Sequence, residues 1–230
     1  MSDGQIGCYY SHYMLLQMHR DGATHLHVLE DDVVLSKQCV SFLDRIILSG
    51  SLDDADILFT DTTMPLDLDR VRDVRRFWRD SVQRLDNGTT AIVRFGYIPY
   101  VACMTSYIVN RRSIQLICDI IARELEGDDP RPIDLLIRAK AAEGKLRAKC
   151  LFPFITSVRP DEPRTINYDE ATQLSRLAVE LLRQSFFVES DLKAMLELAD
   201  RKLISPNAGH QELLHSRIFG FTISDVFRSF

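Results

Sequence analysis

Short apolar segments alternate with longer amphipathic ones along most of this chain, and this alternation limits the folds open to it. The short segments have the length of strands, whereas the longer ones repeat apolar residues at helical spacing. We predict strands or extended segments at 25–29, 55–60, 104–109 and 151–157, and helices at 6–20, 36–49, 112–125 and 133–143. In the second helix we expect an inner face of Val40, Leu43, Ile46 and Ile47. Strands alternating with helices favour an α/β domain with a mainly parallel sheet.

The character of the sequence changes at about Asp169. Residues 169–203 carry apolar side chains at helical spacing. We interpret this tail as one or two helices that pack on the domain or on a second subunit. The predicted organisation is an α/β domain over residues 1–167 followed by a helical C-terminal extension over residues 168–230.

The composition argues against several classes of protein. A net charge of −5 without a long basic run argues against nucleic acid as a partner. The five cysteines contain no CxxC pair, so we expect neither a disulfide framework nor a structural zinc site, and we expect a reducing cytoplasm. No apolar run approaches the ~20 residues that cross a bilayer, and the N-terminus lacks the layout of a signal peptide. Peripheral attachment to the inner face of the membrane stays open.

An arginine-rich segment stands out within this acidic chain. Residues 70–84 contain six arginines in fifteen positions, interleaved with Asp73 and Asp80. Two interpretations are open, namely a solvated helical face and a site for phosphate or for an acidic acceptor.

A cluster of carboxylates, Glu30-Asp31-Asp32, follows the first predicted strand. Three acidic side chains at one point repel one another unless something offsets their charge, and a divalent cation does this well. Oxygen ligands suit Mg²⁺ or Mn²⁺, which often share their coordination shell with substrate phosphates. On a strand, Glu30 and Asp32 would point to one side and Asp31 to the other. The alternative is a solvated loop or a helix N-terminus, where acidic residues are favoured anyway.

The residues around this cluster resemble glycosyltransferase family 25, which includes lipopolysaccharide and collagen galactosyltransferases. The first matching element is Gly7-Cys8 followed by Ser11-His12, and the second is Leu-Glu-Asp-Asp-Val at 29–33. Weaker matches follow in the order of the family pattern: Thr105 to Val109, Ile114 to Ile117, Pro132-Ile133-Asp134, Pro153 and Thr165-Ile166. Together they extend over roughly residues 4–167.

The resemblance implies a GT-A fold, a nucleotide-sugar donor such as UDP-galactose, and inversion at the anomeric carbon. It also implies that Asp32 binds Mn²⁺ or Mg²⁺ directly, with Glu30 on the same side, and that Glu30 or Asp31 holds metal-bound water or the ribose of the donor. The cation would bridge the diphosphate and offset the charge on the leaving nucleotide. The implied acceptor is a saccharide or a lipid-linked glycan, as in lipopolysaccharide synthesis.

Further candidate residues come from the other matching elements. An inverting transfer needs a carboxylate that accepts the proton of the acceptor hydroxyl, and Asp134 in the Pro-x-Asp element is our candidate. A helix cap and acceptor binding are the alternatives for this residue. Gly7, Ser11 and His12 are candidate donor-binding residues, and His12 would bind phosphate or hold the acidic loop. A buried histidine bonded to backbone is the alternative for His12.

The sequence departs from the family pattern at its start. The pattern begins with an Ile-Asn-Leu strand and an arginine-bearing loop, whereas Gly7-Cys8 stands almost at the beginning here. We therefore expect the sheet to lack that first strand. A truncated start, a sheet completed by another chain, and a member that no longer turns over are the open explanations. They motivate the alternative of a non-catalytic binding or assembly domain, in which an exposed sheet edge would favour assembly with other proteins or into a homo-oligomer.

Overall fold

The computed structural model describes residues 1–64, 67–84, 90–92, 94–159, 170–202, 217–220, 222 and 224. The helices are α1 (Asp3–Met18), α2 (Cys39–Leu48), α3 (Leu68–Ser81), α4 (Ile114–Leu125), α5 (Ile133–Ala142), α6 (Glu170–Ser185) and α7 (Leu192–Lys202). The strands are β1 (Leu26–Leu29), β2 (Val33–Leu35), β3 (Ile57–Phe59), β4 (Val82–Arg84), β5 (Thr90–Ile92), β6 (Gly96–Ile98), β7 (Ser106–Val109), β8 (Ala148–Phe152) and β9 (Thr156–Val158).

A five-stranded sheet with the order β1-β7-β3-β8-β6 forms the centre of the fold. Among these strands only β3 and β8 pair in parallel, whereas β7 pairs antiparallel with β1 and β3, and β6 pairs antiparallel with β8. The prediction of a mainly parallel sheet is therefore wrong, because β7 enters between β1 and β3 in the opposite direction. Strands β1, β3 and β8 still share one direction, so their carboxyl ends meet at one edge of the sheet.

Helices cover both faces of this sheet. Side chains alternate along β3, so that Ile57 and Phe59 join a core with α1, α4 and α5, whereas Leu58 joins a second core with α2. Helix α4 packs through apolar residues three or four positions apart: Ile114, Ile117, Cys118 and Ile121. The α/β prediction is thus confirmed as a central mixed sheet flanked by helices.

Helix α2 packs through a narrower face than the sequence predicts. The buried residues are Cys39, Phe42 and Ile46. Val40 is 73% exposed and Ile47 is 40% exposed, so assigning both to the inner face was wrong. The apolar residues of α2 form a stripe wide enough for more than one buried face, and the face that packs against Leu58 and Ile108 contains Cys39, Phe42 and Ile46.

The described part of the C-terminal extension contains α6, α7 and a further helical segment at 217–220, and α6 packs on the α/β domain. The backbone amide of Phe154 donates to the carbonyl of Phe186 over 3.0 Å. The Phe186 ring lies in the same core as Trp78 and Phe152, with ring centroids 6.2 Å and 5.5 Å away. The end of α6 therefore contacts the α/β domain of the same chain. The predicted boundary at residue 167 and the Thr165-Ile166 element lie outside the described residues.

No helix in the described part of the chain combines the length and the apolar character needed to cross a membrane.

Candidate functional site

The acidic triplet lies at the sheet edge where the carboxyl ends of β1, β3 and β8 meet. It forms the turn between β1 and β2, since the amide of Val33 donates to the carbonyl of Glu30 over 3.4 Å. The amide of Glu30 donates to the carbonyl of Thr105 just before β7, over 2.8 Å. Glu30 and Asp32 are half-buried, whereas Asp31 is exposed. A turn, rather than strand alternation, therefore sets the directions of these carboxylates.

Helix α1 presents Cys8 and His12, one turn apart, to the carboxylate of Glu30. His12 Nε2 lies 3.2 Å from Glu30 Oε1, and the Cys8 thiol donates to the same oxygen over 3.5 Å. His12 Nδ1 lies 2.9 Å from the hydroxyl of Tyr107 on β7. The ring is 5% exposed and contacts two side chains rather than backbone. These contacts place His12 in position to hold the acidic turn.

The electrostatics of this cluster favour an ionised Glu30 and a neutral Cys8. Burial acts to raise the pKa of Glu30, but the hydrogen bond and charge of His12 outweigh it, and the pKa is lowered. Burial, followed by the charge of Glu30, raises the pKa of the Cys8 thiol to about 12. Cys8 is therefore protonated at neutral pH, which argues against a role as a nucleophile in this state.

Asp134 reaches the same region from the first turn of α5. Its Oδ1 accepts from the amide of Leu135 over 2.8 Å, and its Oδ2 accepts from the amide of Cys103 over 3.4 Å. Its charge contributes, after burial and Glu30, to the raised pKa of Cys8. Asp134 and Glu30 thus both bond to the segment before β7, at Cys103 and at Thr105, and Glu30 also contacts His12.

Gly7 and Ser11 lie on the exposed side of α1, outside the contacts made by Glu30. The Ser11 hydroxyl donates to the carbonyl of Gly7 over 2.9 Å. A Cβ placed on Gly7 would meet nothing within 4 Å. This pair therefore forms an open strip on the helix, one position before Cys8 and His12.

A buried ion pair, which sequence reasoning missed, joins the extension to the sheet edge. The guanidinium of Arg183 on α6 contacts the carboxylate of Asp61, which follows β3, and the two side chains are 2% and 1% exposed. Burial raises the pKa of Asp61 against the effect of Arg183. Burial also acts to lower the pKa of Arg183, but the charge of Asp61 and the bond to it raise that pKa. We take the pair as ionised, because each charge is the main counter-charge of the other.

The segment before β7 links these groups through an unusual backbone conformation. Cys103 has φ +90°, in the left-handed region that non-glycine residues adopt only at a cost of roughly 1–3 kcal/mol. Its Sγ lies 2.7 Å from the hydroxyl of Thr105, and its amide is the donor to Asp134. The carbonyl of Cys103 accepts from the hydroxyl of Tyr100 over 3.0 Å. Contacts on several sides hold this conformation next to the site.

Residues 1–137 match the model described as glycosyltransferase family 25, an LPS biosynthesis protein. This chain belongs to glycosyltransferase family 25. A search among curated proteins found no match. The family 25 region contains both signature elements and Asp134, so the resemblance seen in the sequence is confirmed, whereas Arg183 lies beyond the matched residues.

Helix α3 carries the arginine-rich segment outside the family 25 signature elements. A concave surface is lined by Arg72, Arg75, Arg76, Arg79 and Asp80. The carboxylate of Asp80 is held by Arg94, with 3.1 Å between the charged atoms. An adjoining pocket shares Arg76 and is otherwise mostly apolar: Met64, Arg70, Asp73, Val74, Phe77, Ile98, Pro99 and Val101. A cationic groove and an apolar pocket thus lie side by side.

We predict that the ion pair at the sheet edge is needed for folding of the site. Arg183→Met leaves Asp61 as an uncompensated buried charge and should lower the free energy of unfolding by about 3–5 kcal/mol. The double variant Asp61→Leu/Arg183→Met should recover much of this loss, since it removes both charges. Urea unfolding followed by circular dichroism measures both values.

Arg72→Met on α3 is the control. Arg72 is paired with Asp69 at 3.1 Å on the surface, and an exposed pair of this kind contributes little to stability. Equal losses in Arg183→Met and Arg72→Met, or no recovery in the double variant, would contradict the prediction.

Proposed function

We propose that this chain is an inverting, metal-dependent glycosyltransferase. It transfers galactose or a similar hexose from a nucleotide-sugar donor such as a UDP-sugar to a glycan or lipopolysaccharide acceptor. The observation that carries the proposal is that Glu30 contacts His12, while Glu30 and Asp134 both bond to the segment before β7. The three residues belong to three separate elements of the family pattern. We expect a GT-A fold for an enzyme with this activity. We expect it to act in the cytoplasm or at the inner face of the membrane.

The carboxylates of Asp32 and Glu30 would hold Mn²⁺ or Mg²⁺. Both are half-buried in one tight turn, and oxygen ligands of this kind match hard cations. In the described contacts, His12 and Cys8 both bond to Oε1 of Glu30, so Oε2 is the oxygen available to an ion. The ion, when bound, would supply positive charge to the donor diphosphate.

The donor would approach along the exposed side of α1. The space above Gly7 is open, and the Ser11 hydroxyl lies on the same strip. Asp31 is exposed in the adjoining turn, where its carboxylate would accept from the ribose hydroxyls. His12 keeps the turn in place from the buried side, so its role is positioning rather than contact with phosphate.

Asp134 would act as the general base. It lies at the start of a helix, and its Oδ2 makes only a long contact of 3.4 Å with the amide of Cys103. That oxygen can turn to accept the proton of an acceptor hydroxyl while Oδ1 stays bonded to Leu135.

The groove on α3 and its apolar neighbour would bind the acceptor. The groove has four arginines and one aspartate, and Asp80 is already paired with Arg94. The apolar pocket contains Met64, three residues after Asp61 at the sheet edge. A phosphorylated or acidic glycan with an apolar anchor matches this pair of surfaces.

Donor binding should depend on the acidic turn. UDP with Mn²⁺ should raise the melting temperature of the purified chain, because a ligand that binds only the native state stabilises it. Asp32→Ala should abolish this increase, whereas Asp44→Ala, which removes an exposed carboxylate on α2, should retain it. Differential scanning fluorimetry with UDP, UDP-sugars and Mn²⁺ makes the comparison.

The same preparation tests the alternative of a non-catalytic assembly domain, for which β1 at the edge of the sheet is the motivation. Sugar transfer by the purified chain would exclude it. Absence of any shift with every nucleotide sugar, together with intact activity of Asp32→Ala in cells, would overturn the glycosyltransferase proposal.

Removal of the base should affect turnover rather than donor binding. Asp134→Asn keeps the size of the side chain and should lower kcat by about 10²–10⁴-fold. The dissociation constant for the UDP-sugar should stay within a factor of about two to three of the wild-type value. Steady-state kinetics and donor titration together separate a base from a helix cap, since loss of a cap would lower the melting temperature without this selective loss of kcat.

Charge reversal in the α3 groove should weaken the binding of the acceptor and leave the binding of the donor unchanged. Arg72→Glu/Arg79→Glu should raise the KM for a phosphorylated lipopolysaccharide acceptor by at least about tenfold, as expected for the loss of about 1.4 kcal/mol of binding. The KM for the donor should not change. Arg45→Glu, an exposed arginine on α2, is the matched control. An unchanged acceptor KM would show that the arginines form only a solvated face.

A further inference from the structure

We propose that Cys8, His12 and Glu30 form a binding site for one transition-metal ion of the Zn²⁺ class. This site is distinct in its ligands from the oxygen site proposed for the donor cation, although Glu30 belongs to both. The Sγ of Cys8, a ring nitrogen of His12 and a carboxylate oxygen of Glu30 all lie within 4.8 Å of one another. The three side chains offer one sulfur, one nitrogen and one oxygen ligand.

The distances match those between ligands of a tetrahedral ion. With zinc–ligand bonds of 2.0–2.3 Å, neighbouring ligand atoms lie roughly 3.3–3.6 Å apart. His12 Nε2 lies 3.2 Å from Glu30 Oε1, and Cys8 Sγ lies 3.5 Å from the same oxygen. Two of the three distances between ligand atoms therefore already have the required length. Small side-chain rotations would bring the third, between Cys8 Sγ and the His12 ring nitrogen, into the same range.

Regular structure holds the three ligands in place. Cys8 and His12 stand four residues apart on one face of α1, which brings their side chains together. Glu30 is fixed by the bond from its amide to the carbonyl of Thr105. Tyr107 contacts His12 Nδ1 at 2.9 Å, which leaves Nε2 as the nitrogen that faces the site. This is the outer contact that orients a metal-binding histidine.

Metal binding would exchange protons in a defined way. The Cys8 thiol releases its proton to solvent, and a metal–sulfur bond forms in its place. The proton that His12 Nε2 shares with Glu30 leaves as well. The ring that binds the ion through Nε2 is then neutral, with its one proton on Nδ1 toward the Tyr107 hydroxyl. Because Cys8 and Glu30 are only half-buried, the fourth position is accessible to a water molecule.

The ligand set selects the kind of ion. Thiolate and imidazole favour Zn²⁺ and Co²⁺, whereas Mg²⁺ and Mn²⁺ favour oxygen. The ligands come from a helix and from a turn 18 residues after His12, so no CxxC spacing signals them in the sequence. The expectation that the chain has no structural zinc site rested on that spacing.

Cobalt titration of the purified, reduced chain tests the inference without any nucleotide sugar. One equivalent of Co²⁺ should give a thiolate-to-cobalt absorption band in the near ultraviolet, and one equivalent of Zn²⁺ should remove it. Cys8→Ser should abolish the band, whereas Cys39→Ser, which changes a buried cysteine on α2, should keep it. Tyr107→Phe retains all three ligands and should weaken Co²⁺ binding by about tenfold.

A second measurement uses the wild-type chain alone. Zn²⁺ should protect Cys8 from alkylation, and mass spectrometry of the labelled peptide reads this out. Absence of a thiolate band in the wild type, its persistence in Cys8→Ser, or equal alkylation of Cys8 with and without Zn²⁺ would each overturn the proposal. Since no donor is present, failure here is distinguishable from failure of the glycosyltransferase proposal.

Discussion

The buried pair between Arg183 and Asp61 is the interaction on which the site edge depends. Each of the two charges is almost fully removed from water, so each tolerates that environment only while the other is present. Asp61 directly follows β3, whereas Arg183 belongs to a helix beyond the residues that match the family. Helix α6 is therefore tied to this edge of the sheet, because undocking it would leave the buried carboxylate of Asp61 without its counter-charge.

The same guanidinium helps the site to tolerate its other carboxylates. Glu30, Asp61 and Asp134 lie close enough that their charges influence common neighbours. Arg183 contributes to the lowered pKa of Glu30, after burial and the contacts from His12 and Cys8. Arg183 and His12 thus offset part of the repulsion between the carboxylates. The sequence alone assigned this role to a divalent cation. Both contributions act to lower the pKa of Glu30 against the effect of burial.

The sequence predicted those parts of the molecule that depend on local spacing or on motif order. The spacing of apolar residues and the turn residues located the main strands and helices. The family pattern named His12, Glu30 and Asp134 as candidate site residues. The direction of β7 could not be predicted this way, since pairing between strands is decided by long-range contacts. Arg183 gave no signal either, because its partner lies 122 residues away and its helix has no motif. The left-handed φ of Cys103 was equally hidden, because nothing in a cysteine marks such a conformation.

Glu30 is a ligand in both proposed metal sites, and its contacts with His12 and Cys8 favour one site over the other. His12 and Cys8 bond to Oε1, so an ion that uses Oε2 can bind without disturbing them. A zinc-class ion must instead replace both bonds and displace the thiol proton. The resting arrangement is therefore better organised for a hard cation with oxygen ligands. If both ions draw on Glu30, each must weaken the binding of the other by the same factor, because coupling between two ligands is reciprocal. A bound nucleotide sugar, which adds phosphate ligands only to the hard cation, shifts that balance further toward the oxygen site.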